Sequence, residues 1–129
     1  LDPDKYKFTI CIPEKTIIGK GFYIGHFGNI FISPKAVLGE NCKISQGVTI
    51  GQVSKGINQG APIIGDNVYI GPGAKIIGNI LIGRNVAIGA NAVVTKDIPS
   101  DCSVGGVPAK IISNNGSSNY INNTLYSEQ

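Results

Sequence analysis

The chain has 129 residues, enough for one domain and too few for two of ordinary size. Only 15% of the residues are charged and 18 are glycine, a composition that excludes a disordered chain and a charged helical bundle and favours β structure. The net charge of +3 comes without a run of Lys and Arg, so nucleic acid is not an expected partner, and no apolar stretch approaches the roughly 20 residues of a membrane span.

An aliphatic residue recurs every six positions through most of the chain, and glycine directly follows eight of the thirteen repeat positions. About two such glycines are expected by chance, so the pairing indicates a true repeat. A second apolar, often small, residue lies two positions before most of them, a spacing that points both side chains to the same side of a short strand. The repeat positions are Ile12, Ile18, Ile24, Ile32, Leu38, Ile44, Ile50, Ile64, Ile70, Ile76, Ile82, Ile88 and Val94.

This period of six fits neither an α-helix nor a chain of tight hairpins. Short strands that run in one direction and are joined by glycine turns are typical of a parallel β-helix with three faces and about eighteen residues per coil. We therefore predict an all-β domain over residues 1–112, a parallel β-helix of hexapeptide repeats with about four coils. Residues 113–129 are polar and low in complexity, and we expect a flexible C-terminal tail there.

The repeat spacing is interrupted twice, and a functional site is expected at such interruptions because a regular coil has no special surface. The first interruption adds two residues after Ile24 and contains His26, the one histidine of the chain. The second replaces regular repeats with the polar, glycine-rich segment 51–62, which we predict to be a protruding loop. A structural histidine in a bulge and a tolerated insertion are the alternatives for these two features.

The three cysteines, Cys11, Cys42 and Cys102, are an odd number at long spacings, so we expect reduced thiols and a cytoplasmic protein. Cys42 takes a repeat position that points inward and is expected in the core. Because the chain has no methionine and begins at Leu1, we also expect that an N-terminal part precedes it.

The chemistry available to a single histidine is limited. One imidazole does not build the three-histidine zinc sites of some β-helices, so no metal is expected, and no GxSxG motif is present for a serine nucleophile. What remains is general-base catalysis, in which neutral His26 takes the proton from a hydroxyl as its oxygen attacks an activated acyl group.

Five segments of the chain resemble the serine acetyltransferase branch of the hexapeptide-repeat acyltransferases. They are residues 24–30 (IGHFGNI), 44–51 (ISQGVTIG), 70–80 (IGPGAKIIGNI), 88–94 (IGANAVV) and 106–110 (GVPAK). The resemblance implies a left-handed β-helix, against the usual right-handed preference for parallel crossovers, and a homotrimer with sites between subunits. It also implies acetyl-CoA as co-substrate, no bound cofactor, and His26 as the catalytic general base.

For acetyl-CoA, the resemblance points to the turns that contain Gly51 and Gln52, Pro72 and Ala90, where small residues allow close backbone approach. Lys96 and Lys110 follow the last coils and are the candidate contacts for its phosphates.

The chain departs from the family where an acceptor amino acid would be held. Cys11 stands where an aspartate that orients the histidine is expected, so Cys11, Glu14, a backbone carbonyl or a water would have to orient His26. Gly25 replaces another aspartate, and Gly60 and Ala61 replace an Arg-His pair that grips the carboxylate of serine.

We therefore expect an O-acetyltransferase whose acceptor is a neutral hydroxyl, first a sugar in surface polysaccharide synthesis. Gln46 and Lys55 are candidate acceptor contacts, and Lys55 could replace the missing cation. The alternatives are a serine O-acetyltransferase of cysteine biosynthesis and a non-catalytic β-helix scaffold.

Overall fold

The computed structural model describes residues 10–26 and 28–121 of the chain. The architecture consists of short strands of two to four residues joined by turns. No helix in this part of the chain is long and apolar enough to cross a membrane. The strands are β1 (Ile10–Cys11), β2 (Ile17–Ile18), β3 (Tyr23–Ile24), β4 (Ile30–Ile32), β5 (Val37–Leu38), β6 (Lys43–Ile44), β7 (Thr49–Gly51), β8 (Ile63–Ile64), β9 (Tyr69–Ile70), β10 (Lys75–Ile77), β11 (Leu81–Ile82), β12 (Ala87–Ile88), β13 (Val93–Val94), β14 (Ser103–Gly105) and β15 (Lys110–Ser113).

Each strand up to β10 pairs with the strand three places later, and this pairing builds three sheets. The first sheet has the order β1-β4-β7-β10-β13, the second β2-β5-β8-β11, and the third β3-β6-β9-β12-β14-β15. All pairs are parallel except β14 with β15. The chain therefore winds as a three-faced parallel β-helix, as the period of six predicts.

The repeat aliphatics stack along the axis of the β-helix and form its core. The ten positions from Ile32 to Val94 are each at most 3% exposed. Ile12, Ile18 and Ile24 are only half-buried because, among the described residues, the first coil is covered on one side alone. Burial of these side chains supplies the main stabilising free energy, about 25 cal/mol for each Å² of apolar surface removed from water.

At one corner of the prism, the glycines that follow the repeat aliphatics are required by the close stacking of successive turns. A Cβ on Gly39 would lie 2.7 Å from the carbonyl carbon of Gly65, and a Cβ on Gly65 would lie 2.9 Å from the backbone nitrogen of Arg84. Real Cβ atoms do not approach backbone this closely, so only glycine fits between the coils at this corner of the prism.

The same corner is lined by residues in the left-handed backbone region. Asn41, Asn67, Asn85 and Asp101 have φ values between 57° and 64°, a conformation that asparagine and aspartate tolerate. The Asn67 amide donates to Asn85 Oδ1 (3.0 Å), and the Asn85 amide donates to Asp101 Oδ1 (2.9 Å). This ladder of side-chain hydrogen bonds connects three consecutive turns.

The segment 51–62 protrudes from the corner between the first and second sheets, as predicted. Val53 and Gly60 exchange both backbone hydrogen bonds at 2.9 Å, which closes the base of the loop. Ile57 at its tip is fully exposed. The loop is thus closed by a single β-bridge, and the Asn79 N–H of the next coil donates to its Asn58 O (3.0 Å).

The start of the C-terminal segment differs from the expected flexible tail. Ser117 is 2% exposed, its hydroxyl donates to the carbonyl oxygen of Asn67, and its N–H donates to that of Asn85 (3.2 Å). The ring of Tyr120 stacks on that of Tyr69, with centroids 4.6 Å apart. Residues 113–121 therefore pack against the β-helix because they satisfy backbone groups of the corner that Asn41, Asn67, Asn85 and Asp101 form, here called the asparagine corner. This packing corrects the prediction of a flexible tail for these residues. The remainder of the predicted tail, 122–129, lies outside the described residues.

Candidate active site

His26 lies in the turn that follows β3, where the repeat spacing is interrupted. Two further residues of this turn, Gly28 and Asn29, have positive φ values of 121° and 50°. The turn is held to the next coil by the Gly25 N–H, which donates to Ile44 O (2.8 Å), and by the Gly47 N–H, which donates to Gly28 O (2.7 Å). The histidine side chain is exposed on this anchored turn.

The imidazole lines a cavity of about 490 Å³ that extends over three coils. The Lys43 ammonium, on the second of these coils, lies 5.5 Å from the centre of the Tyr23 ring. An exposed imidazole beside hydroxyl, amide and aromatic groups suits proton transfer from a bound hydroxyl. The described lining residues are Tyr23, Gly25, His26, Lys43, Ser45, Gln46, Tyr69 and Pro72.

Two of the residues singled out in the sequence share this cavity with His26. They are Gln46, an acceptor candidate, and Pro72, an acetyl-CoA candidate. Cys11 pairs with Phe31 on the first sheet, and Glu14 lies in the turn that follows β1. Neither belongs to the described lining, so an orienting role for Cys11 or Glu14 stays a prediction.

The loop candidates lie at a different corner of the prism. Gln52 lines a cavity of about 340 Å³ together with Lys35 and Gly60, and its side-chain oxygen accepts a hydrogen bond from the Ser33 hydroxyl (2.8 Å). Lys55 is exposed on the loop and is not among the described lining residues of this cavity. Among the described lining residues of this cavity, the cation is therefore Lys35, from the preceding coil.

The remaining acetyl-CoA candidates occupy the later coils. Lys96 and Lys110 line one cavity of about 180 Å³, so the structure brings these two cations together. Gly51 is buried at the end of β7, and Ala90 is exposed in the turn after β12. The predicted phosphate contacts thus share a cavity, whereas the predicted backbone contacts are distributed over several turns.

Four lining residues of the His26 cavity were not anticipated from the sequence: Tyr23, Lys43, Ser45 and Tyr69. Tyr23, Lys43 and Tyr69 each directly precede a repeat aliphatic, and they are aligned across the third sheet. Side chains alternate along a strand, so a residue that directly precedes an inward repeat aliphatic points outward. The six-residue repeat could therefore have predicted that Tyr23, Lys43 and Tyr69 lie on one outer face.

The buried thiol of Cys42 differs from that of Cys11 in a way that can be tested. Burial raises the pKa of Cys42 to about 11, and its thiol donates to the carbonyl oxygen of Gly65 at 3.3 Å. Burial also raises the pKa of Cys102, with a further contribution from the Asp101 charge. Because the thiolate is the reactive form, we expect iodoacetamide at pH 8 to modify exposed Cys11 alone in the folded protein. Peptide mass mapping checks this, and alkylation of Cys42 as fast as Cys11 without unfolding would contradict it.

Comparison with known proteins identifies relatives of this chain. Residues 61–96 match the model "Bacterial transferase hexapeptide (six repeats)". A serine acetyltransferase of Synechococcus elongatus is 44% identical over 99 residues, which cover 77% of this chain and 41% of that protein. A serine acetyltransferase of Staphylococcus aureus is likewise 44% identical over 99 residues and is covered over 46% of its length.

Solved structures give the same result. A Neisseria gonorrhoeae serine acetyltransferase in complex with serine matches with a TM-score of 0.77 and 39% identity, over 84% of this chain and 44% of that one. A Brucella abortus serine acetyltransferase in complex with coenzyme A matches with a TM-score of 0.74 and 38% identity, over 79% of this chain and 41% of that one.

The chain spans less than half the length of the curated relatives it matches. Within that span the fold, the repeat and the likeness to the solved structures agree, and the hand of the β-helix is left, as the resemblance implies. The chain belongs to the hexapeptide-repeat, left-handed β-helix acyltransferase family, in its serine acetyltransferase-like branch.

Proposed function

We propose that this chain is the catalytic β-helix of an acetyl-CoA-dependent O-acetyltransferase and that His26 is its general base. The observation that carries this proposal is the exposed imidazole in a cavity at the interrupted repeat, in a chain 44% identical to serine acetyltransferases. An anchored turn holds the imidazole at the cavity while leaving the side chain free to accept a proton.

In the proposed reaction, a ring nitrogen of neutral His26 takes the proton from the acceptor hydroxyl as that oxygen attacks the thioester carbonyl carbon. Negative charge on the carbonyl oxygen is stabilised by a backbone N–H of a nearby turn. The tetrahedral intermediate then breaks its carbon–sulfur bond, and the departing thiolate takes the proton from the imidazolium. The products are an O-acetyl ester and free coenzyme A, with no net change at His26.

For acetyl-CoA, we assign the turns of Gly51, Gln52, Pro72 and Ala90 to the pantetheine arm, on the family resemblance. The shared cavity of Lys96 and Lys110 supports their assignment to the phosphates, because two ammonium groups in one cavity attract a polyanion.

For the acceptor, the comparisons favour serine over the sugar that the sequence analysis places first. We therefore propose the hydroxyl of serine as the acceptor. A sugar hydroxyl is the second candidate, because the loop positions of the expected Arg-His pair hold Gly60 and Ala61, and the Ala61 side chain is buried. Gln46 lines the His26 cavity and remains the proposed acceptor contact there; Lys55, exposed on the loop, is the second proposed contact.

We further propose that the active unit is a homotrimer with its sites between subunits. We also propose that the protein is located in a reducing cytoplasm. The His26 cavity and the loop cavity share no described lining residue and lie at different corners of the prism. A loop residue and His26 therefore act on one substrate when two subunits meet corner to corner.

The test is a competition of L-serine against free and nucleotide-linked hexoses at saturating acetyl-CoA, scored by kcat/KM from the release of coenzyme A thiol. We expect serine to be preferred by at least about tenfold, a difference that one or two buried polar contacts supply. A tenfold preference for a hexose would instead support the second candidate. Absence of thiol release with every acceptor would refute the transferase and favour a scaffold.

A further inference from the structure

Lys43 occupies an unusual position in the His26 cavity. Its side chain crosses directly over the residue that precedes the histidine: a Cβ on Gly25 would lie 3.4 Å from Lys43 Cε. The Lys43 ammonium donates to the carbonyl oxygen of Tyr120 (3.4 Å) in the C-terminal segment and lies 5.5 Å from the centre of the Tyr23 ring. The cation thus lies between the Tyr23 ring and the C-terminal segment, and Lys43 lines the same cavity as His26.

The charge of Lys43 has no counterpart in this cavity. None of the described lining residues carries a carboxylate, and the other lining groups are aromatic, hydroxyl, amide or backbone. An ammonium has three N–H donors, and the Tyr120 carbonyl uses one of them. The remaining donors are available to a ligand, and an anion is the ligand that gains most from them.

Glycine at position 25 is what leaves the ammonium available. The Cβ of an aspartate at this position would lie 3.4 Å from Lys43 Cε. Since Nζ is bonded directly to Cε, the carboxylate of that aspartate would reach the ammonium. Such an ion pair would neutralise the cation and fill the space beside it. Because Gly25 has no side chain, the Lys43 ammonium above it stays available to a ligand.

We propose that Lys43 is a specificity-determining residue that binds an anionic group of the acceptor, so that the acceptor carries a carboxylate or a phosphate near the hydroxyl that receives the acetyl group. This inference rests on the proposed function and names the substrate class of the same cavity. Tyr120 and Tyr23 position the ammonium through the carbonyl contact and the ring face. The cation absent from the loop at positions 60 and 61 is then supplied from another part of the chain.

The experiment compares acceptors that differ in the anionic group alone: L-serine with ethanolamine, and glucose 1-phosphate with glucose. Each is measured with the wild-type protein and with Lys43→Gln and Gly25→Asp. We expect both variants to lower kcat/KM for the anionic member of the preferred pair by about tenfold or more relative to its neutral counterpart, the size of a lost charge-assisted hydrogen bond. The pair that responds distinguishes a carboxylate from a phosphate.

Two controls separate charge from structure. Gly25→Asn adds nearly the same bulk as Gly25→Asp without the charge, so the two should differ in anion preference. Lys20→Gln removes an exposed lysine outside the described lining of the cavity and should leave every acceptor ratio unchanged. Equal losses for charged and neutral acceptors in Lys43→Gln, or no loss at all, would overturn the proposal.

Binding of the anionic acceptor, measured without acetyl-CoA, tests the role of Lys43 separately from catalysis. Isothermal titration calorimetry with L-serine and with glucose 1-phosphate should show binding of at least one of them to the wild-type protein, weakened about tenfold or more in Lys43→Gln. Absence of acetyl transfer to every acceptor refutes the proposed function. Unchanged affinity in Lys43→Gln, or no binding of either anion to the wild-type protein, refutes the role of Lys43.

Discussion

Replacement of His26 by alanine is expected to lower kcat by about 10² to 10⁴, the usual contribution of a general base. The reaction then has to rely on water to accept the hydroxyl proton, while the cavity walls on the neighbouring coils remain in place. The measurement is the rate of coenzyme A thiol release at saturating acetyl-CoA and acceptor, so that a change in kcat is not confused with a change in KM.

The fold provides the control for this variant. Because the His26 side chain is exposed, His26→Ala should keep the circular dichroism spectrum and the melting temperature of the wild-type protein. A variant that turns over at the wild-type rate would show that another group accepts the proton. Loss of both activity and folded structure would show that the histidine is structural.

Replacement of Ile44 by alanine is expected to lower the free energy of unfolding by about 2 to 5 kcal/mol, since it removes three buried carbons and leaves a cavity between coils. Ile44 is 0% exposed and is aligned with Ile24 below it and Ile70 above it. Because each coil contacts mainly its neighbours, a cavity at this level weakens both interfaces of the second coil. Chemical denaturation with urea, monitored by circular dichroism, measures the change.

The matched control is Ile57→Ala at the tip of the loop. Ile57 is fully exposed, so the same substitution removes no buried contact and should change stability by less than about 0.5 kcal/mol. Similar losses for Ile44→Ala and Ile57→Ala would mean that the stacked aliphatics are not the main source of stability.

Two observations on the acceptor disagree: one favours serine, and the other favours an acceptor without a carboxylate. The relatives are serine acetyltransferases, whereas positions 60 and 61 hold Gly60 and Ala61 instead of the Arg-His pair that the resemblance implies. Lys43 in the His26 cavity and Lys35 in the loop cavity are cations that come from other coils. A missing cation at one position of the sequence therefore does not imply a site without a cation.

The β-helix, its core and the position of the candidate base can all be predicted from the amino-acid pattern. A period of six repeats the same environment in every coil, so the inward positions, exemplified by Ile50 and Ile88 at 0% exposed, can be read without coordinates. The two interruptions of that period identified the turn of His26 and the loop 51–62 for the same reason, because extra residues in a stacked coil can only project outward.

The side chains that surround His26 are known only from the folded chain. The two interruptions change the length of the coils, so residues aligned on the third sheet are 20 residues apart between Tyr23 and Lys43 and 26 apart between Lys43 and Tyr69. The contact of Tyr120 with Lys43 joins residues 77 apart and depends on how the segment 114–121 packs on the asparagine corner. Local periodicity shows which side chains point outward, but contacts between coils and with the C-terminal segment depend on the path of the whole chain.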